Sequence, residues 1–474
     1  MADKFDVILV GTGFASSFFL MPYLEKARPT ARILVLERGR LDTHAWQVKN
    51  GRTSSQNAND TFINNHPKKV WMYNPSFGGG SNCWWAVTPR MLPNDFRMHS
   101  NYGMGVDWPI SYEDLEIFYA QAEDILSVSG PDDGSPFPRS TPYPQPPHRF
   151  SDPDKVLKAA YPDLFFHQPT ARARTATANR PRCCASGVCG LCPINAKFTI
   201  LNEMHHLYQD PRVTLVLEAT VQTLETKGGT ATGVSYLNNG SVAQAEADLI
   251  VLGANALFNP HILQRSNIHH SLLGKYLNEQ ASTDIFIDLD GLDNFQGSTS
   301  ITGHGYMLYD GEHRKEVAAC LIESWNVPLI RVEQGKWQQR LRLKFIFEDL
   351  PNQNNYIKFD KNNPDLPETV YTGHSDYTMK SIERLPAVLP QLLAPLPVEN
   401  IEPTSSLADT EAHILGTTVM GNDPKTSIID KYLIHHQIRN LLLLGGGAFP
   451  TTSPANPTLT ISALSLWAAN HLLS

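Results

Sequence analysis

Two glycines, Gly11 and Gly13, stand between an apolar, β-branched run at residues 6–10 and a stretch able to form a helix at 17–26. A second apolar run, residues 32–36, follows and ends on Glu37. Strand, glycine turn, helix, strand and acid is the order of a dinucleotide-binding βαβ unit. Gly11 permits the tight turn, and Gly13 lets the backbone approach a pyrophosphate at a helix N-terminus. Glu37 lies close to the spacing of about 20 residues at which a carboxylate accepts hydrogen bonds from a ribose. The third glycine position of the fingerprint holds Ser16, which is small but not glycine. A second dense group is Cys183-Cys184-Ala-Ser-Gly-Val-Cys189-Gly-Leu-Cys192-Pro193. Thiolates so spaced can wrap an iron–sulfur centre. Structural zinc, a disulfide or four unliganded thiols are the other readings.

The chain that must position these groups has 474 residues, enough for two or three domains. Hydrophobic residues make up 41% and charged residues 18%, which supports a folded core and excludes global disorder. Lys plus Arg is 39 against 47 Asp plus Glu, and a formal charge of −8 argues against nucleic-acid binding. Six Cys are too few for a disulfide scaffold, while 34 Pro and 31 Gly suit a loop-rich enzyme. The start lacks the basic and apolar segments of an export signal, and no run of about 18 apolar residues exists to span a membrane. The expectation is a soluble, cytoplasmic protein without a membrane span. Further along, Phe77-Gly-Gly-Gly-Ser-Asn82 is a second glycine-rich stretch, leading into Cys83-Trp84-Trp85. Residues 215–221 and 234–237 read as neighbouring strands, and 248–252 as a strand entering Gly253-Ala254-Asn255. Residues 280–400 alternate strand-like runs, such as 341–347, with Pro-rich loops. The apolar run 440–444 precedes Gly445-Gly-Gly447, and Ala455-Asn456-Pro457 opens a helix from Thr458, with Asn-Pro suited to the cap and first turn. Nucleotide-type segments thus occur at both ends and in the middle.

The segment Ala412-His413-Ile-Leu-Gly416-Thr-Thr-Val-Met420-Gly421 is followed by Asp423-Pro-Lys-Thr-Ser427, and later by Phe449-Pro-Thr-Thr-Ser-Pro-Ala-Asn456-Pro457-Thr458. Together with the N-terminal fingerprint and residues 77–96, which end Thr88-Pro-Arg-Met-Leu-Pro-Asn-Asp-Phe96, these resemble the glucose–methanol–choline (GMC) flavoprotein oxidoreductases. Within that family the chain is similar to bacterial FAD-dependent sugar dehydrogenases and pyranose oxidases. The resemblance implies an α/β fold: a discontinuous Rossmann-like FAD-binding domain at 1–90, 193–278 and 405–474, with an inserted α+β substrate-binding domain on an antiparallel sheet at 91–182 and 279–404. Residues 183–192 form the Cys-rich loop between them. It also implies FAD contacts from Gly11, Gly13, Phe14, Ala15, Glu37 and Arg38, from Gly79, Gly80, Ser81, Asn82 and Cys83, and from Val221, Gly253 and Ala254. Gly447, Ala448, Asn456, Pro457 and Thr458 complete that set.

The implied catalytic pair is His413 and Asn456. Oxidising an alcohol sends a hydride from carbon to flavin N5 while a base takes the hydroxyl proton. A neutral imidazole suits that base, and an amide can donate to the same oxygen as charge develops on it. A helix beginning at Thr458 would aim its positive end at the flavin. The expected substrate is a sugar or glycoside hydroxyl, with Trp84, Trp85 and Trp325 as stacking surfaces or core. Related sugar dehydrogenases carry a flavin-linking histidine where this chain has Cys83, so histidyl attachment is excluded; a flavin thioether and a space-filling thiol are the two readings of Cys83. The resemblance makes Cys183, Cys184, Cys189 and Cys192 iron–sulfur ligands, although relatives space the last two by three residues rather than two. Such a cluster would relay electrons to a cytochrome or other acceptor, with a small accessory subunit and co-export to the periplasm. Without it, an oxygen-using pyranose or alcohol oxidase is the alternative, and a catalytically silent flavoprotein binding subunit is the third reading.

Overall fold

The computed structural model describes residues 3–402 and 406–473, so the expected domain limits at 1, 404, 405 and 474 lie outside the described residues. Its strands are β1 (Asp3–Val10), β2 (Ile33–Leu36), β3 (Ile63–Asn64), β4 (Phe165–His167), β5 (Val213–Val216), β6 (Ala219–Lys227), β7 (Thr230–Asn238) and β8 (Ser241–Leu252). These are followed by β9 (Ala281–Leu289), β10 (Ile301–Leu308), β11 (Cys320–Trp325), β12 (Arg340–Phe347), β13 (Tyr356–Lys358), β14 (Glu368–Val370), β15 (Val398–Ile401) and β16 (Leu441–Leu443). The helices are α1 (Phe14–Lys26), α2 (His44–Asn50), α3 (Met98–Tyr102), α4 (Tyr112–Leu126), α5 (Asp152–Ala160), α6 (Asn255–Arg265), α7 (Asp376–Leu393) and α8 (Thr458–Leu472).

Three sheets organise the chain. The first has the order β5–β2–β1–β8–β7–β6, with β16 also paired to β8. The pairs β5–β2, β2–β1, β1–β8 and β8–β16 are parallel, and β6–β7–β8 is an antiparallel meander. β2 and β16 are buried along their whole length, which is why they read as unbroken apolar runs rather than alternating ones. The expected strand at 215–221 is instead two strands. Glu218 takes a positive φ of 53°, which ends β5 beside β2 and redirects the chain into β6 beside β7.

The second sheet, β15–β9–β12–β11–β10–β4, is antiparallel throughout. Its strands alternate. In β12, Leu341, Leu343 and Phe345 join a core with Leu385, Leu389, Leu392 and Leu393 of α7, while Arg342 and Lys344 point to the other face. The helix α7 runs 18 residues through Pro386 and Pro390, where Pro-rich loop was expected. Each internal proline costs about 3 kcal/mol, but four buried leucines return roughly 1.5–3 kcal/mol apiece, so packing wins. The third sheet, β13–β14–β3, is a small satellite. Among the described residues no helix is long and apolar enough to cross a membrane.

Candidate active site

A cavity of about 480 Å³ opens where the parallel strands of the first sheet end, and the polar face of the second sheet closes its far side. Val10, Leu36 and Gly253 lie at the carboxyl ends of β1, β2 and β8, the edge at which open α/β sheets place ligands. Gly11 has φ +90°, and a Cβ there would sit 2.7 Å from the Gly253 carbonyl oxygen. A Cβ on Gly253 would lie 2.1 Å from Ser16 Oγ, so the third fingerprint position is filled by a serine that the facing glycine accommodates. At Gly13 a Cβ would meet no protein atom within 4 Å.

The residues present fit a bound dinucleotide. Helix α1 begins at Gly13 and Phe14, α8 at Pro457 and Thr458; neither has a side-chain cap or an acidic residue in its first turn, and both starts line the cavity. Two bare, positively polarised helix ends are an anion site. The Glu37 carboxylate is held by Thr12 N (3.0 Å), Thr12 Oγ1 (2.7 Å) and Gly39 N (2.8 Å), at the cavity edge, and keeps acceptor capacity for sugar hydroxyls. Arg38 lies over the Phe258 ring at 4.3 Å, both in the wall.

Gly79, Gly80, Cys83, Val221, Ala15 and Ala254 also line the cavity. Ser81 and Asn82 stand behind it and shape the turn: Ser81 Oγ donates to Gly78 O (2.7 Å) and Asn82 Nδ2 to Phe77 O (2.8 Å). At the C-terminal glycine run the wall is Gly445 and Gly446, whereas Gly447 packs on Thr418 and Gly416, and Ala448 is in the core.

His413 and Asn456 both face the cavity. His413 Nδ1 lies 3.0 Å from Gln280 Oε1, and its backbone N–H donates to Glu279 Oε1 at 2.8 Å. Burial pushes the imidazole down to about 4, with Glu279 opposing and Lys344 and Lys69 reinforcing. Asn456 Oδ1 is buried with no protein partner. The helix cap expected from Asn456-Pro457 is not made; Pro457 occupies the cap position and leaves the asparagine amide to the cavity. From the second sheet, Glu323 and Lys344 face each other across β11 and β12, and both line the cavity with Trp325. Trp85 lies 4.8 Å from Trp325, ring centre to ring centre. Lys344 pairs with Glu411 at 2.8 Å, and burial pushes Glu323 up to about 7. Sequence reasoning missed Glu279, Gln280, Glu323, Lys344 and Glu411; the signal available was basic residues alternating with apolar ones along β12.

The cysteine loop abuts this wall without entering it. Lys197 Nζ donates to Asn82 O (2.8 Å), Trp84 O (2.9 Å) and Gly190 O (2.8 Å), tying the loop to the turn before Cys83, and burial pushes this lysine down to about 8. Each thiol has its own setting. Cys189 is buried against Arg172 Nη1 (3.4 Å) and Ser300 Oγ (3.1 Å), Cys183 lies near Thr299 Oγ1 (3.7 Å), Cys192 accepts from Ala196 N (3.2 Å), and Cys184 is exposed. All six cysteines are free, and among the described residues no group of three or more His, Cys, Asp or Glu is disposed around a metal position. As folded, the described residues of the loop do not make an iron–sulfur or zinc ligand set. Cys83 is at the cavity surface, where burial pushes its thiol up and away from thiolate, with Lys197 opposing.

A glycine-turn cradle that leads to an imidazole and an amide suits a dinucleotide-dependent oxidoreductase. Residues 351–465 match the family model described as GMC oxidoreductase. The chain is 28% identical over 440 residues to the fructose dehydrogenase large subunit of Gluconobacter japonicus, covering 84% of this chain and 80% of that one. It is 22% identical over 531 residues to 2-methyl-1,2-propanediol dehydrogenase of Mycolicibacterium austroafricanum, covering 99% and 95%. The fold superposes on the crystal structure of pyridoxine 4-oxidase from Mesorbium loti with a TM-score of 0.68 at 16% identity, over 98% of both chains. The chain is an oxidoreductase acting on CH–OH donors and is similar to the GMC enzymes. That family implies FAD as the dinucleotide.

Proposed function

We propose that the enzyme oxidises a ring hydroxyl of a sugar or glycoside, with FAD held along Gly11, Gly13 and Glu37 and with His413 as the base. The observation that carries this is the meeting of His413 and Asn456 with the glycine cradle in one cavity, although they are far apart in the chain. FAD, when bound, supplies the hydride acceptor. His413 is neutral at working pH and takes the hydroxyl proton. Asn456 donates a hydrogen bond to the oxygen that is losing it. Trp85 and Trp325 offer an apolar ring face, and Glu323 with Lys344 offer polar partners for further hydroxyls, a combination suited to a cyclic polyol. The enzyme names of the relatives argue against a silent binding subunit.

Electrons leave the enzyme for a separate acceptor, with a cytochrome and a small accessory subunit as the partners; the relative named as a large subunit supports this. Relatives named as oxidases favour a second reading, direct discharge to oxygen. Anaerobic mixing of the FAD-loaded enzyme with aldoses, ketoses and glycosides should bleach the flavin. His413→Ala should slow bleaching by about 10²–10⁴-fold with flavin retained. Bleaching at the parent rate in that variant would sink the proposal, and reoxidation by oxygen against a cytochrome separates the two fates of the electrons.

A further inference from the structure

Gln280 precedes β9 in the part of the chain that no motif covers, and it is buried. Its Nε2 donates to two carbonyl oxygens, Ser453 O and Ala455 O, at 3.0 Å each. A primary amide has two N–H donors, so both are used. Flipping the amide would set its oxygen against two carbonyl oxygens and its NH2 against the imidazole, so the partners themselves fix which end faces His413. That end is Oε1, 3.0 Å from His413 Nδ1. An amide oxygen only accepts, so Nδ1 must carry the proton. A neutral imidazole has one N–H, and with it on Nδ1 the lone pair is on Nε2.

The hold extends to the backbone. The preceding residue, Glu279, accepts from His413 N (2.8 Å), Glu411 N (2.9 Å) and Thr410 Oγ1 (3.0 Å), and its other oxygen pairs with Lys69. The two carbonyls that anchor Gln280 belong to the segment that ends on Asn456. One amide side chain thus bridges the loop carrying the imidazole and the loop carrying the asparagine.

We propose that Gln280 is the positioning residue of this site: it sets the His413 tautomer that presents Nε2 as the base and fixes the imidazole against the Asn456 segment. The inference rests on the proposed role of His413. When Nε2 receives the hydroxyl proton, the imidazolium keeps its Nδ1–H on the amide oxygen, and the proton later leaves from Nε2. The charges facing the ring are Glu279, Lys344 and Lys69, and the neutrality of Gln280 adds none.

The test is a pH titration by nitrogen NMR of the full chain, FAD-loaded and labelled with [15N]histidine, the His413 signals being assigned by their loss in His413→Asn. The expected parent spectrum at neutral pH is a neutral ring protonated on Nδ1. Gln280→Glu places a carboxylate against that N–H and should raise the protonation constant of His413 at least tenfold. Gln280→Leu should release the ring to a mixture of tautomers. A parent ring protonated on Nε2 overturns the proposal, and this needs no variant to fold. A Gln280→Leu spectrum identical to the parent overturns it too. These readings involve no turnover, so they are separable from a failure of His413→Ala to slow flavin reduction, which would remove the base role instead.

Discussion

At the scale of single residues, the proposed chemistry turns on an imidazole that burial keeps uncharged. The His413 ring is desolvated to about 4, below its ordinary value near 6.5. It is therefore ready to accept a proton at any pH above that value and blocked below it. The rate of flavin reduction should be level from about pH 5 upward on the acid side and fall roughly tenfold per pH unit below about 4, as read by anaerobic rapid mixing in brief pH jumps. Asn456→Leu removes the proposed donor to the reacting oxygen and should cost about 10²–10³ in the same rate, with flavin still bound. The glycines could be read from their place between apolar runs, and His413 and Asn456 were implied by the resemblance of their segments to the GMC enzymes; the fold brings them to one cavity. Gln280 could not be found in either way, because its role comes from two carbonyls and a ring brought to it from more than a hundred residues away by the fold.

At the scale of elements, the cofactor end is made by turns that tolerate no side chain. Gly11→Ala combines a positive φ, costing about 1–2 kcal/mol for an L-residue, with a Cβ 2.7 Å from the Gly253 carbonyl. The expected outcome is a folded chain purified without flavin, read as the ratio of flavin to protein absorbance. The strands and glycine turns of the first sheet were legible because buried parallel strands are short apolar runs and their turns need glycine. The split of 215–221 was not, since nothing local marks Glu218 for a positive φ. Helix α7 was hidden by its two prolines, which local propensity reads as breakers and which only the packing of its leucines on the second sheet overrides. The polar face of that sheet was hidden for a related reason: Glu323 and Lys344 sit on separate strands, and only the register places them opposite each other.

At the scale of the whole molecule, burial of imidazoles makes stability depend on pH. His148 and His304 are pushed down to about 3, and His167, His261, His413 and His435 to about 4, in each case chiefly by burial. The unfolded chain binds these protons near 6.5 and the folded one does not, so their contribution is complete above 6.5 and is lost as pH falls toward 3–4. Asp95 and Glu323, pushed up to about 6 and about 7, act in the opposite sense but are outnumbered. The urea midpoint should therefore be lower at pH 5 than at pH 7.5. Arg314, fully buried between Asp95 (2.8 Å) and Glu348 (2.7 Å), should be intolerant of truncation: Arg314→Ala leaves buried carboxylates unpaired and should cost about 3–5 kcal/mol in the same measurement. β16, seated on β8, leads straight into Gly445, Gly446 and the start of α8, which share one cavity with the first glycine turn. A product cut short by a stop codon ahead of residue 441 lacks that wall and should stay colourless however much vitamin is supplied, as read from its absorbance after purification.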